Sequence, residues 1–323
     1  LIQDKFKNLA EFKSRVEELL CSSSPFAAAR VVEDMEAQVT PHQILVEGKK
    51  KPLGLVVDEI ADLPKEFLKK HDIIEVPFTR GAPSFKEFLS AFQKAFEKSD
   101  KILVITVSAK LSGAYSSARI ARSIYKKPTK LNIYVFDCFT AGIGEGLVVV
   151  KAQELISRAL AKWEEEGLPS SPSQGKKMEE IIEELKEFCP KITLLACIDD
   201  FKYVVRGGRV RLPKIFIRPA SLIQKLGIRF LVGLKNGKVK FSGASLGKDK
   251  ARILAEAIDL ERKGVEIKVA IAHADNLKEA QKLKTELEKR PKIKVLYISS
   301  VSPVVATHTG PGALLAAFYP VDN

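Results

Sequence analysis

The sequence predicts an α/β protein of two domains: a parallel, Rossmann-like sheet domain, then a mixed α/β domain, with a helical extension at the N-terminus. Three observations lead to this expectation. The chain has 323 residues, which is more than one compact core normally holds. In the first half, short apolar runs alternate with amphipathic stretches, the pattern of a parallel sheet with helical crossovers. In the second half, the Asn-Gly pair at 236–237 joins two strand-like runs, which is typical of a β-hairpin.

Residues 1–51 are predicted to be a helical extension or a connector between modules. Apolar residues recur at helical spacing in 9–20 and again in 28–35. A polar run that ends at Lys51-Pro52 separates this segment from the rest. Because polar residues follow Leu1 closely, we expect no signal peptide. Because the sequence lacks an initiator methionine, we interpret it as a fragment or as part of a longer chain.

Residues 52–168 are predicted to form the first α/β domain. Buried parallel strands are short, apolar runs, and four stretches of this range have that character. The predicted strands are 53–57, 73–77, 102–107 and 133–136, with a helix opening at 62–66 and helices at about 84–98, 115–125 and 146–166. The Pro- and Ser-rich loop at 167–175 indicates the domain boundary.

Residues 169–323 are predicted to form the second domain, in which strands and helices follow a mixed order. The expected elements are a helix at about 178–188, a strand at 192–197, the hairpin strands 230–234 and 238–241, a helix at 248–262, a strand at 267–272, a helix at 277–289, a strand at 294–298 and a final apolar helix at 313–318. The last helix is expected to begin after the Gly-Pro-Gly turn at 310–312.

The net charge of +13 is concentrated in one segment. No Asp or Glu occurs from Phe201 to Gly247, whereas eleven Lys and Arg residues do. The aromatic residues of this segment alternate with apolar neighbours as core residues do, which favours a docking surface for an acidic partner or a phosphate group over nucleic-acid binding. No apolar run reaches the length of about 18 residues that a membrane span needs, so no stable membrane insertion is expected. Four cysteines without metal-ligand spacing favour a reduced, cytoplasmic setting.

Several turns after predicted strands carry candidate binding residues. In open parallel sheets, ligands bind beyond the carboxyl ends of the strands. Asp58 follows the first strand, and Ser112-Gly113 lies between the third strand and a helix, where backbone N–H groups form an anion cradle. The glycines at 142–146 loosely resemble a dinucleotide fingerprint, but no acidic ribose partner is present, so no nucleotide cofactor is expected.

Two motifs of the second domain also suit an anion. His308 and Thr309 precede a Gly-Pro-Gly turn, and an imidazole there either donates a hydrogen bond to a carboxylate or only caps a helix. Arg206-Gly207-Gly208-Arg209 offers two guanidinium forks for a carboxylate or phosphate, or is a solvated basic turn. His273 ends a strand and is interpreted as structural. Since no Walker A, nucleophile-elbow or metal-binding motif occurs, we expect no catalytic residue and no metal site.

The order and spacing of these turns resemble the DegV family over about residues 53–320. The motifs that carry the resemblance are Val57-Asp58 to Pro64, Ser108 to Tyr115, Asp137 to Gly146, Arg206 to Arg209, His273 to Asn276 and His308 to Gly312. Members of the family look like the fatty-acid-binding subunits of bacterial fatty acid kinase, in which a separate ATP-dependent kinase phosphorylates the carboxylate of the bound acid. The resemblance implies an acyl chain between the domains, its head group near Ser112, Gly113, His308 and Thr309, and kinase docking near Arg206 and Arg209.

This chain departs from the family's pattern at three turns. Glu59 and Ile60 stand where the family usually carries Ser-Thr, and Arg80-Gly81-Ala82-Pro83-Ser84 stands for Thr-Ser-Gln-Pro-Ser. The Val-Arg-Gly turn reads Ser245-Leu246-Gly247. Arg80, Ser84 and Asp58 are therefore further candidates for the carboxylate site, with Arg80 pairing either with the ligand or with Glu59.

Three hypotheses follow. The first is a carrier that binds a long-chain fatty acid and presents it to a dihydroxyacetone-kinase-like kinase, in trans or fused upstream through residues 1–51. The second is a degenerate docking or regulatory module that no longer binds the head group, in which case the tunnel between the domains would be closed. The third is nucleic-acid binding through 201–247.

Overall fold

In this computed structural model, the described residues are 50–79, 81–125, 132–165, 174–208 and 227–321. They form two β-sheets, one of four strands and one of six, with helices packed on both. Residues 1–49 of the predicted helical extension 1–51, the domain boundary near 168 and the basic residues 209–226 lie outside the described residues. The expectation of an α/β chain with a parallel sheet followed by a mixed sheet is confirmed.

The first sheet has the strand order β2-β1-β3-β4, and all of its pairs are parallel. Its elements are β1 (Lys51–Asp58), α1 (Lys65–His71), β2 (Ile74–Val76), α2 (Phe85–Lys98), β3 (Ser99–Thr106), α3 (Ala114–Ile124), β4 (Ile133–Asp137) and α4 (Ile143–Glu165). Val56, Val57 and residues 102–105 have no or almost no exposed surface, because helices cover both faces of the sheet. The four strands predicted here are confirmed.

The second sheet has the order β7-β6-β5-β10-β8-β9 and mixes antiparallel with parallel pairs. Its elements are α5 (Gln174–Phe188), β5 (Thr193–Ile198), α6 (Lys202–Arg206), β6 (Ile228–Lys235), β7 (Lys238–Leu246), α7 (Lys250–Arg262), β8 (Ile267–His273), α8 (Leu277–Glu288), β9 (Ile293–Ser300), α9 (Pro303–Thr309) and β10 (Leu314–Pro320). The predicted hairpin is confirmed: Asn236 and Gly237 turn it with φ values of 53° and 70°.

The helix predicted at 313–318 is wrong. These residues belong to β10, which lies between β5 and β8 in the middle of the second sheet. Leu314 and Ala316 are buried on one face of the sheet, and Leu315 and Ala317 on the other. A run of small apolar residues that is buried on both faces shows neither helical nor alternating periodicity, so tertiary packing decides its conformation.

The two sheets share one core through α4. Residues Leu147, Val148, Val149 and Ala152 of this helix are almost fully buried, and α4 contacts both β1 and β10. A helix that is apolar around most of its circumference is one packed on several sides. Among the described helices, none is both long enough and apolar enough to cross a membrane.

Two long-range hydrogen bonds join the halves of the chain at their loops. The backbone N–H of Ser302 donates to Asp62 Oδ1 at 2.6 Å, and Lys110 Nζ donates to the carbonyl oxygen of Asn236 at 3.0 Å. Ser302 immediately precedes α9, and Asn236 is the hairpin turn. The loops at the carboxyl end of the first sheet are thereby held against the second sheet.

Candidate functional site

A cavity of about 800 Å³ lies between the carboxyl-end loops of the first sheet and the inner face of the second. Its size falls in the range of roughly 300–1,000 Å³ that is typical of small-molecule sites. The first half of the chain contributes residues that follow β1, β2, β3 and β4, and the second half contributes α6, α9 and the strands β5, β6, β7 and β10. The site therefore needs both halves of the chain.

The wall formed by the second sheet is apolar. Leu194 and Ala196 of β5 and Val232 and Leu234 of β6 line the cavity. Alternate residues of a strand point to opposite faces, so Leu195 packs instead with the core around α7 and α8. With Leu315 of β10, these side chains make a surface on which an aliphatic chain is removed from water.

Ser112, Gly113 and Ser116 supply polar groups from the first half. The Ser112 N–H donates to the carbonyl oxygen of Ser108 at 3.1 Å, and Ser112 Oγ accepts from the N–H of Ala114 at 3.2 Å. These bonds fix the turn before α3, which has Gly113 as its N-cap. The first N–H groups of a helix and its dipole favour an anion at this position. The predicted cradle thus lies at the cavity.

His308 and Thr309 also line the cavity, from α9. The sequence placed them before a helix, whereas they form the last turn of one. The signal for α9 is present in the sequence, because Ser302 caps the helix through Oγ, which accepts from the N–H of Val305 at 3.3 Å, and Pro303 occupies its first turn. Thr309 Oγ1 donates to the carbonyl oxygen of Val305 at 3.0 Å, so the proton of this hydroxyl is used within the helix.

Asp58 does not line the cavity, but its hydrogen bonds hold two loops that do. It is fully buried, and its carboxylate accepts from the N–H of Ile60 at 3.1 Å and from that of Val107 at 2.8 Å. Ile60 and Val107 are both cavity-lining residues, so Asp58 ties together the loops that follow β1 and β3. Burial raises the pKa of Asp58 to about 7.

Two of the turns that depart from the family's pattern line the cavity with nonpolar residues. Ile60 lines the cavity, and the Glu59 carboxylate turns to the backbone, where it accepts from the N–H of Phe78 at 2.8 Å. Gly81 and Ala82 line the cavity, while Ser84 is exposed at the N-cap of α2 and does not. Arg80 lies outside the described residues. Glu59 is therefore committed to the loop rather than directed at a ligand.

Arg206 is exposed at the end of α6, beside the cavity. Val204, two residues before it, and Gly207, directly after it, both line the cavity. Arg209 lies outside the described residues. Within the described ranges, no group of three His, Cys, Asp or Glu side chains is arranged to hold a metal ion.

The sequence did not indicate a buried acidic cluster next to the site. Asp62 and Glu145 are buried, as Asp58 is, and burial raises the pKa of both carboxyl groups well above the usual range. Among the described residues, Asp62 Oδ2 and the Tyr297 hydroxyl have no hydrogen-bond partner, and the Glu145 carboxyl group interacts with that of Asp58. The only signal available in the sequence was the position of Asp62 and Glu145 in turns after predicted strands.

Two sheets joined over an apolar cavity with a small polar rim define a two-domain α/β protein whose cavity suits a small, largely apolar ligand. A sequence model described as "uncharacterised protein, DegV family" matches residues 79–165 and 170–321. The chain belongs to the DegV family.

Individual relatives agree with this assignment. The chain is 29% identical over 251 residues to Protein DegV of Bacillus subtilis, covering 77% of this chain and 80% of the relative. It is 25% identical over 298 residues to the fatty acid-binding protein of Thermotoga maritima, covering 80% of this chain and 95% of the relative. The crystal structure of a DegV lipid-binding protein from Thermotoga maritima has a TM-score of 0.66 at 24% identity, over 84% of this chain and 99% of that one, so the two share a fold.

Proposed function

We propose that this protein binds a long-chain fatty acid in the cavity between its two sheets and presents the carboxylate to an ATP-dependent kinase. The observation that carries the proposal is one cavity with two chemistries. Its wall on the second sheet is aliphatic, whereas the start of α3 and the end of α9 offer hydroxyl, imidazole and backbone N–H groups. An amphipathic ligand with one small anionic end matches this division.

The known relatives support the ligand class. The Thermotoga maritima relative is named a fatty acid-binding protein, and the structural neighbour is described as a lipid-binding protein. In this chain we assign Ser112, Gly113 and His308 to the carboxylate, because all three line the cavity. Each hydrogen bond to a charged group contributes about 1.5–3 kcal/mol.

The proposed partner is a dihydroxyacetone-kinase-like module, acting in trans or fused upstream, in the cytoplasm. No residue in this chain is assigned a catalytic role. The carboxylate oxygen would attack the γ-phosphorus of ATP held by the partner, giving an acyl phosphate and ADP. Arg206 supports docking beside the cavity, since it is exposed while its neighbours Val204 and Gly207 line the cavity.

The test is a titration of delipidated protein with palmitate and oleate by calorimetry. We expect saturable binding of one acid per chain. Binding of neither acid, or binding that is equally strong for a long-chain alkane of the same length, would sink the proposal. A second arm adds a dihydroxyacetone-kinase-like kinase and ATP, and acyl phosphate formed only in the presence of this protein is the expected result.

One observation favours a second candidate function, a docking module that lost its head-group site. Ile60, Gly81 and Ala82 present no hydroxyl to the cavity, although the family resemblance places hydroxyl residues at these turns. This module would associate with the kinase and bind no acid. The open, apolar cavity speaks for the first candidate, and the titration separates the two.

A further inference from the structure

A buried lysine lies behind the turn that carries His308 and Thr309. Lys250 begins α7 and is only 7% exposed. Its Nζ donates to the carbonyl oxygen of Gly312 at 2.6 Å and to Asp199 Oδ2 at 2.6 Å. Lysine is almost never buried unless it is paired, because a desolvated charge is costly. Asp199 balances this charge and is itself bridged to Arg229 Nε at 3.1 Å.

The same turn is held by the motif at 273–276, which has no place in the cavity wall. Asn276 Nδ2 donates to the carbonyl oxygen of Gly312 at 3.3 Å. The Gly312 N–H donates to the carbonyl oxygen of Ala274 at 2.9 Å, and the Ala274 N–H donates to that of Ala313 at 3.0 Å. His273 Nδ1 accepts from the Asn276 N–H at 3.2 Å, so this histidine orders the motif.

The turn needs these hydrogen bonds because its own two glycines restrict the backbone little. Gly310 and Gly312 have φ values of 82° and 71°, which glycine adopts freely in the unfolded chain as well. A Cβ on Gly310 would lie 2.5 Å from the Tyr203 ring, and one on Gly312 would lie 3.2 Å from Lys250 Nζ. The turn is therefore packed between Tyr203 and Lys250, with His308 and Thr309 directly before it.

We propose that Lys250, assisted by Asn276, is a positioning residue that fixes the His308–Thr309 end of α9 at the cavity and thereby sets the preference for a free carboxylate over an uncharged ester. This inference rests on the proposed function. Lys250 does not line the cavity and acts through the Gly312 carbonyl. A charge-assisted bond of this length in a buried site holds the turn more firmly than a neutral bond does.

The test is Lys250→Met, which keeps an unbranched apolar stem and removes the three donors of the ammonium group. Lys282→Met is the matched control. Lys282 lies on the neighbouring helix α8, forms an ion pair with Asp249 at 2.7 Å and has a half-exposed side chain. Dissociation constants are measured for palmitate and methyl palmitate. We expect the ratio of ester to acid dissociation constants to fall about tenfold in Lys250→Met, which corresponds to about 1.4 kcal/mol, and to stay unchanged in Lys282→Met.

A purely structural role would lower the melting temperature and weaken both ligands equally. An unchanged ratio in a Lys250→Met protein that binds palmitate would overturn the positioning role while fatty acid binding stands. Should the single variant fail to fold, the double variant Asp199→Asn/Lys250→Met removes the carboxylate left without its lysine and is measured in the same way. Lys250→Arg, which retains a cationic donor, is expected to recover part of the preference.

A second readout keeps the inference testable without a ligand. The imidazole signals of His308 are recorded by NMR in the delipidated protein and assigned with His308→Gln. We expect them to shift in Lys250→Met and not in Lys282→Met, and unchanged signals in both would contradict the positioning role. A wild-type protein that binds neither palmitate nor its ester would refute the proposed function alone.

Discussion

At the scale of single residues, the buried carboxyl groups next to the cavity make the stability of the protein depend on pH. Asp58 and Glu145 have no exposed surface, and their side chains interact with each other. Burial raises the pKa of Asp58 to about 7, and the charges of Asp58 and Asp62 add to burial in raising that of Glu145. Asp137 also faces Glu145 and acts in the same direction. Between their unfolded and folded pKa values, these carboxyl groups therefore keep their protons in the folded protein and lose them in the unfolded chain.

The sign of the resulting pH dependence follows from linkage. A carboxyl group with a raised pKa stabilises the fold fully below its unfolded pKa of about 4.3, and that stability is lost as the pH rises through the folded pKa. We expect Glu145→Gln, which cannot ionise, to match the wild type near pH 4 and to exceed its free energy of unfolding at pH 8 by about 1–3 kcal/mol. Urea unfolding across this range is the measurement. Glu154→Gln, exposed on the same helix, should follow the wild type. Parallel curves for wild type and Glu145→Gln would contradict the interpretation.

The cradle before α3 makes a second prediction at this scale. Ser112→Ala removes the hydroxyl that lines the cavity and accepts from the N–H of Ala114. We expect about 1.5–3 kcal/mol weaker palmitate binding, the usual contribution of one hydrogen bond to a charged group. Ser123→Ala is the control, because Ser123 is exposed on the same helix and donates only to the carbonyl oxygen of Ile120 at 2.8 Å. Equal affinities for both variants would remove Ser112 from the site.

At the scale of elements, the hairpin turn between β6 and β7 packs against the loop that follows β3. A Cβ on Gly237 would lie 2.5 Å from Ser108 Oγ and 3.0 Å from Lys110 Cδ, and Ser108 is fully buried. The glycine is thus required both for its φ of 70° and for the close approach of the two halves. Gly264 has a similar φ of 76°, but no atom of the described residues lies within 4 Å of its Cβ position.

The pair of glycines separates backbone strain from contact. We expect Gly264→Ala to cost about 1–2 kcal/mol in free energy of unfolding, the price of a left-handed backbone for alanine. Gly237→Ala should cost about 1–3 kcal/mol more, because the added methyl group also overpacks the contact with Ser108. Chemical denaturation of both variants measures the difference. Equal losses would mean that the turn is not pressed against the first half of the chain.

The elements that the sequence predicts correctly are those with a clear local signal. β1 and β3 are short apolar runs followed by turns, and Asn236-Gly237 allows few conformations other than a tight hairpin turn. β10 was mistaken for a helix because its Leu-Leu-Ala-Ala run carries no period, and only its place between β5 and β8 makes it a strand. That error also put His308 at the wrong end of a helix.

The candidate site was predictable only in part for a related reason. Ser112, Gly113, His308 and Thr309 lie in turns with recognisable chemistry, and all four line the cavity. Asp58 looks like a ligand group in the sequence, yet its oxygens are occupied by backbone N–H groups. Lys250 binds Asp199 and Gly312, which are 51 and 62 positions away from it in the sequence. No local pattern reveals such contacts.

For the whole molecule, the arrangement of charge around the cavity bears on partner recognition. Arg206 is exposed next to the cavity-lining Gly207, in a chain with a net charge of +13. Opposite charge on a partner raises the rate of association and fixes orientation more than it raises affinity.

Reversal of that charge is the corresponding prediction. Arg206→Glu should lower the rate of kinase-dependent acyl phosphate formation about tenfold at low salt, with a smaller effect at high salt, because exposed charges are screened. Palmitate binding should not change. Lys278→Glu, an equal charge change at an exposed position of α8, is the control. A loss that is the same for both variants would point to net charge rather than to docking at Arg206.

The central claim is that an acyl chain occupies the cavity between the two sheets, and blocking the cavity tests it most directly. Ala196 of β5 lines the cavity, whereas Ala244 of β7 is exposed and does not. Wild type, Ala196→Phe and Ala244→Phe are purified, checked for unchanged circular dichroism, and extracted with organic solvent for mass spectrometry. The account predicts about one fatty acid per chain in the wild type and in Ala244→Phe, and a strongly reduced amount in Ala196→Phe. Equal acyl content in all three proteins, or none in any of them, would contradict it.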